Sequence, residues 1–244
     1  MATSLRLQHW LEWSSQLHVG GNNIKVKKNV PMFLINSNPH LYAFQGKPLR
    51  NIMDVVSHAI WGRHLTHGRL NWKVAAIMAV LPDLLAFIPS TIVQILSGKE
   101  RVDIDENSVT SDLPPIAWQM YQISHSLVWT FVLFLCIWGA LEYTLKKQQG
   151  ELLKAGKYLQ CEMKPRTAAT LIIIPWVYHI LIDMPTHTLR FFPTPFLMPF
   201  SDFMIDGIMW STWWVWGLNV IAIIVVWHIL NQRTAAMASI APRA

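Results

Sequence analysis

The chain has 244 residues, 52% of them hydrophobic and only 14% charged, against about 25% charged in ordinary soluble domains. That length suits one domain, and that balance argues against a typical water-soluble globule. The net charge of +6 would suit a nucleic-acid partner. The basic residues, however, cluster in two loops rather than along an amphipathic face, so a membrane accounts for them better and no nucleic acid is expected.

Residues 1–50 are polar to mixed and carry Arg6, Lys25, Lys27, Lys28, Lys47 and Arg50. They read as a cytoplasmic extension with a short amphipathic helix at Leu5–Leu17, and they lack the apolar core and small-residue cleavage site of a signal peptide. Residues 51–62 have a helical pattern but fall short of the ~20 apolar residues a span needs. They predict a short re-entrant or half-buried helix near residue 55. Four longer apolar runs follow, 74–96, 124–145, 167–189 and 209–230. The expected fold is an all-α polytopic membrane helix bundle with about four transmembrane helices plus that short helix. The membrane-embedded domain covers 51–231, and 232–244 is a short cytoplasmic tail.

Several of the 13 tryptophans lie near segment ends, as aromatic belts do: Trp72, Trp118 and Trp210. Loop 146–166 holds Lys146, Lys147, Lys154, Lys157, Lys164 and Arg166, whereas loop 190–208 holds only Arg190. Basic residues thus alternate between sides, which places both termini and loop 146–166 in the cytoplasm. No internal repeat is apparent, which weakens a transporter built on inverted repeats. Cys136 and Cys161 form no C-x-x-C pair and Cys136 sits in an apolar run, which argues against a disulfide framework or a thiolate zinc site.

The chemistry lies in ionisable residues within the greasy runs. Such groups are costly in hydrocarbon and are functional candidates by default. His179 and Asp183 are four apart, hence on one helix face; Asp54 and His58 repeat the spacing. Asp83 follows Pro82 in the first run, and His125, flanked by Ser124 and Ser126, opens the second, with Ser124 as a candidate cap. Lys and Arg are missing from these runs, so a metal explains the acids better than a salt bridge. The expected ligands are His58, Asp83, His125, His179 and Asp183, with nitrogen and oxygen donors that suit zinc, or manganese. A buried hydrogen-bonded pair is the plainer alternative for each. Pro185 ends the third run and puts Thr186 and His187 on a turn at the mouth of the site. His187 or Asp54 would act as general base or orient a ligand, and Arg190 would hold an anionic headgroup. His64 and His67 read as parts of a solvated loop, the acidic stretch 103–107 as another, and His228 as an interfacial or packed histidine.

Taken in order, Asp54–Gly62 with His58, Leu81-Pro82-Asp83, Ser124-His125-Ser126-Leu127 and His179-Ile180-Leu181-Ile182-Asp183 resemble the motifs of the YdjM-like family of membrane-bound metal-dependent hydrolases, down to a Pro-rich end at 193–201. The resemblance spans residues 51 to about 203. It implies metal-dependent hydrolysis, an inner (cytoplasmic) bacterial membrane and no particular substrate. Many members carry a second acid after the Leu-Pro-Asp aspartate, where Leu84-Leu85-Ala86 stands here. Many carry His-Arg-Gly before the Ser-Leu motif, where Met120-Tyr121-Gln122-Ile123 stands here. An outward-facing intramembrane site favours a lipid or lipid-linked ester, a phosphodiester among them. The rival readings are a metal or proton transporter and a non-catalytic membrane scaffold.

Overall fold

A computed structural model describes residues 49–98 and 108–240, with side chains from 55 to 98 and from 108 to 236. The polar extension, its helix at Leu5–Leu17, the acidic stretch 103–107 and the side chain of Asp54 lie outside the described residues. Six α-helices make up the described part: α1 (Leu49–Leu65), α2 (Trp72–Leu96), α3 (Pro115–Ser124), α4 (Leu127–Lys147), α5 (Pro165–Thr186) and α6 (Trp213–Ile240). Among the described residues there are only isolated β-bridges and no strands. Four helices, α2, α4, α5 and the Trp213–Ala236 part of α6, are long and apolar enough to cross a membrane. Their flanks carry exposed apolar side chains such as Ile77, Ile95, Leu96, Phe131, Leu218 and Ile221. So much exposed apolar surface is stable only against lipid or another apolar partner.

Local chemistry sets the boundaries. Asn71 caps α2 by accepting from the Lys73 amide at 2.9 Å. Ser126 caps α4, its Oγ accepting from the amides of Val128 and Trp129 at 3.1 and 3.3 Å. Helices α3 and α5 both begin with a proline in the first turn, where its missing N–H costs nothing.

Two expectations need correction. Between the first two apolar runs stands helix α3, which Pro114-Pro115 starts and which packs along α2, turning the chain back into the bundle. His125 therefore does not open α4: it ends α3, its amide bonded to the Tyr121 carbonyl at 2.8 Å, and Ser126 rather than Ser124 is the cap. His64 is not in a solvated loop, because α1 runs on to Leu65 and buries His64 beside the Trp61 ring. Burial, with Arg63 beside it, holds the His64 pKa below its ordinary value and favours the neutral ring. Trp118 packs against Tyr121 and Phe192.

Helix α5 is the centre of the bundle, with half of its apolar window buried, whereas none of α6's is. Helix α6 is held through α1: Trp61 Nε1 donates to Asn219 Oδ1 at 2.9 Å, and Asn219 Nδ2 donates to Ser57 Oγ at 2.8 Å. Such interhelical hydrogen bonds add roughly 0.6 kcal/mol each in a bilayer. The carbonyls left over where α5 ends are taken by the returning chain: Ile208 N meets Pro185 O, Trp210 N meets Thr186 O, and Gly207 N meets His187 O. Gly207 is glycine because a Cβ there would collide with the Pro185 backbone.

Helices α1 and α2 cross at Gly62, where a Cβ would fall 2.6 Å from the Ala75 carbonyl oxygen and 2.7 Å from the Ala79 Cβ. We expect Gly62→Ala to lower stability by ~1–3 kcal/mol through overpacking. Gly139→Ala on α4, whose Cβ would meet nothing within 4 Å, should be neutral or stabilising, as helix propensity predicts. Thermal unfolding of the two variants in detergent, followed by circular dichroism, makes the comparison; equal midpoints would contradict a tight α1–α2 crossing.

Candidate metal centre

Three elements bring four side chains together. Asp83 comes from the middle of α2, His125 from the α3–α4 junction, and His179 and Asp183 from successive turns of α5. One ligand atom from each lies within 4.8 Å of all the others. The separations are 3.0 Å for His125 Nε2 to His179 Nε2, and 3.1 and 3.3 Å from Asp183 Oδ2 to His179 and His125. Asp83 Oδ1 lies 3.5 and 3.6 Å from the same two nitrogens. Four donors at ~2.0–2.1 Å from a tetrahedral centre sit roughly 3.3 Å apart. Every one of these five edges is within a few tenths of an ångström of that value.

The second nitrogens of the two rings fix what the first ones present. His179 Nδ1 is 2.7 Å from the Ala79 carbonyl. A carbonyl only accepts, so Nδ1 carries the hydrogen and Nε2 turns a lone pair toward the cluster. His125 Nδ1 is 3.0 Å from Ser124 Oγ, and Ser124 Oγ can in turn donate to the Tyr121 carbonyl at 3.5 Å. In that chain His125 Nε2 also points a lone pair inward. Two imidazole lone pairs and two carboxylates then face one another with His125, His179 and Asp183 at most 2% exposed. That arrangement repels itself unless a metal ion or protons sit between the donors. The donor set therefore fits a metal ion.

The surroundings hold the ligands rigidly. Pro82, next to Asp83, removes the α2 hydrogen bond to the Met78 carbonyl, beside the Ala79 carbonyl that His179 uses. Tyr121 stacks on the His125 ring at 3.6 Å between centroids and 18° between planes. Trp176 Nε1 donates to the Ser124 carbonyl at 2.8 Å, and Ser126 Oγ donates to the Met198 carbonyl.

Of the five expected ligands, the structure gathers four. His58 is buried and adjacent: its Nε2 lies 3.4 Å from Asp183 Oδ1, the oxygen turned away from the two other histidines, and its ring packs on His179 at 3.9 Å between centroids. It supports Asp183 and His179 from the far side. Asp54 is one turn before His58 on α1. A mostly apolar cavity of about 60 Å³ lies against His58, bounded by Ser57, Trp61, Ile182, Trp210 and Asn219. It has room for water, which needs about 10–15 Å³ of such volume per molecule. Asp83, 13% exposed, is the most accessible of the four clustered residues.

His187 caps the end of α5, as expected of the turn after Pro185. Its Nδ1 is 2.8 Å from the Phe192 carbonyl and 2.9 Å from the Tyr121 hydroxyl. The carbonyl again fixes the hydrogen on Nδ1 and leaves Nε2 as the acceptor. Phe192 adopts a left-handed backbone with φ 47°, a costly conformation for a bulky residue. Its buried ring packs against Phe87, Trp118 and Tyr121, and its amide accepts no strain alone, donating to Thr110 Oγ1 at 2.8 Å. Arg190 is at the surface and outside the four-residue cluster, its carbonyl bonded to the Thr110 amide. His67 pairs with Thr234 and His228 with Gln232, both away from the centre.

Sequence reasoning missed Tyr121, which touches both His125 and His187. It is four residues before His125 on α3, so the same i, i+4 rule that finds His179 and Asp183 finds it once α3 is read as a helix. The Ala79 carbonyl has no side-chain signal at all. Comparison of the chain with protein-family models, curated proteins and solved structures finds no match.

We expect purified wild-type protein to carry near-stoichiometric divalent metal by elemental mass spectrometry, and His179→Ala/Asp183→Asn to lose it. His58→Ala should weaken binding only ~10–100-fold, the cost of a supporting partner, and so retain metal under saturating conditions. Complete loss in the His58 variant would make His58 a ligand and overturn the four-residue geometry.

Proposed function

We propose that the protein is an integral-membrane, metal-dependent hydrolase that cleaves an ester or phosphodiester, most simply of a lipid or lipid-linked molecule. The observation that carries this reading is the buried two-histidine, two-aspartate cluster at ligand spacing. The resemblance of the ordered motifs to those of the YdjM-like family points the same way. Zinc suits the donors best, with manganese as the other candidate. When bound, such an ion lowers the pKa of water to near neutrality and polarises the scissile bond.

The chain's own residues have the following parts. Asp83, His125, His179 and Asp183 hold the ion, and Asp83 lies on the accessible side where water and substrate approach. His187 offers Nε2 as the proton acceptor, because the Phe192 carbonyl keeps the hydrogen on Nδ1. Tyr121 holds His187 and His125 in register through its hydroxyl and its ring face. Arg190, exposed beyond the end of α5, is placed to meet an anionic headgroup. Asp54 is the alternative base, one turn from His58. The basic residues of 146–166 favour that end of the bundle as the cytoplasmic side, with the centre nearer the opposite face, in a bacterial inner membrane.

The test is turnover by zinc- or manganese-loaded protein in detergent micelles against a panel of lipid carboxylic esters and phosphodiesters. His187→Ala should lower kcat by ~10²–10⁴, the usual worth of a general base, while metal content stays at the wild-type level. Tyr121→Phe should retain metal and lose less. Metal-loaded wild type that cleaves nothing in the panel, yet carries the ion across proteoliposome membranes, would replace hydrolysis with transport. A protein that binds no metal would leave the scaffold reading.

A further inference from the structure

At the end of the bundle opposite the ligand-bearing turns of α5 lies a second cavity, of about 580 Å³. That size is within the range of ordinary ligand pockets, ~300–1,000 Å³. Its inner wall is apolar and comes from the spans: Val74 of α2, Leu141 of α4 and Ile172 of α5. These residues are within about seven positions of their helix ends, so the wall reaches only ~10 Å into the bilayer at 1.5 Å per residue. Its outer rim comes from the connection between α4 and α5 and carries Lys154, Lys157 and Tyr158.

Two further observations place this cavity at the headgroup level. The connection is folded onto the helices, not loose. Leu153 and Met163 exchange backbone hydrogen bonds over a small core with Leu145, Ala168 and Leu171, and Asn71 ties the start of α2 to Lys157 and Tyr158. The same end also carries three cation–aromatic pairs, Lys73 over Trp72, Lys157 over Tyr158 and Arg166 over Trp138. Amphipathic side chains of this kind mark the membrane–water interface. Within 146–166 six basic residues outnumber two acids, Glu151 and Glu162.

We infer that this cavity is a binding site for one anionic phospholipid of the adjoining leaflet. Its phosphate meets Lys154 and Lys157 at the rim, and the upper part of an acyl chain lies against Val74, Leu141 and Ile172. Charge complementarity selects the anionic headgroup, since each lysine near such a surface adds appreciable attraction. The apolar wall at acyl depth selects a lipid over a soluble anion. The site is independent of the metal centre, and its test requires no turnover.

The experiment is native mass spectrometry of the detergent-purified full chain, incubated with equimolar phosphatidylglycerol and phosphatidylcholine of identical acyl chains. Retained phosphatidylglycerol should exceed phosphatidylcholine by at least about fivefold, as roughly one lysine's contribution gives. Lys154→Gln/Lys157→Gln should bring the ratio close to one. Lys146→Gln/Lys147→Gln, at the same end but outside the cavity lining, should leave it near the wild-type value. A wild-type ratio near one, or an equal loss in both double variants, would overturn the site in favour of no lipid preference or of diffuse surface charge. Because all four lysines are exposed, neither variant threatens folding, and a circular dichroism melt checks this.

Discussion

The hydrogen bond from His179 Nδ1 to the Ala79 carbonyl is the constraint on which the rest of this protein turns. It joins the two most deeply engaged spans, α2 and α5, by a polar contact where water is scarce. It also decides the chemistry of the ring. With Nδ1 committed to a main-chain acceptor, Nε2 of the neutral ring faces His125, Asp83 and Asp183 as a lone pair. Four acceptors gathered in an apolar interior need a metal ion or protons between them, so this backbone bond helps shape a group that could hold a metal.

The same economy recurs around it. Each ligand is braced by something with little freedom of its own: Asp83 by the proline before it, His125 by the stacked Tyr121 ring, Asp183 by His58 on its outer oxygen. Prolines within α2 and α5 would be liabilities in an isolated helix. Pro185 sits where α5 ends, and there the carbonyls of Pro185, Thr186 and His187 are taken up by the returning chain at 207–210. The strained Phe192 backbone is held likewise, its ring buried and both its amide and its carbonyl engaged.

The two ends of the bundle divide the labour. One gathers the ligands, with α3 and the Pro-rich segment folded over them. The other gathers the basic residues, the cation–aromatic pairs and a large cavity under a stapled connection. A polytopic protein must orient itself in the bilayer, and this arrangement keeps the basic residues that do so apart from the buried His/Asp cluster.

Much of this was legible in the residues alone. Apolar runs of twenty or more residues can satisfy their backbones in lipid only as helices, so the four spans followed from hydropathy, with ends misplaced by a few residues. The cost of burying a histidine or aspartate singled out Asp83, His125, His179 and Asp183 before any fold was known. What the residues could not say is how α3 turns back. Its ten residues are too short and too mixed to stand out, and reading them as loop moved His125 and its cap and hid Tyr121. Nor could they rank His58 below the other four, since only the crossing of α1 over α2 at Gly62 decides which oxygen of Asp183 it meets. Sequence determined which groups must be buried and in what kind of element, because hydrocarbon penalises each one individually. Tertiary structure decided which of them share a centre, because that depends on distances between helices far apart in the chain, and on a main-chain carbonyl that no side chain announces.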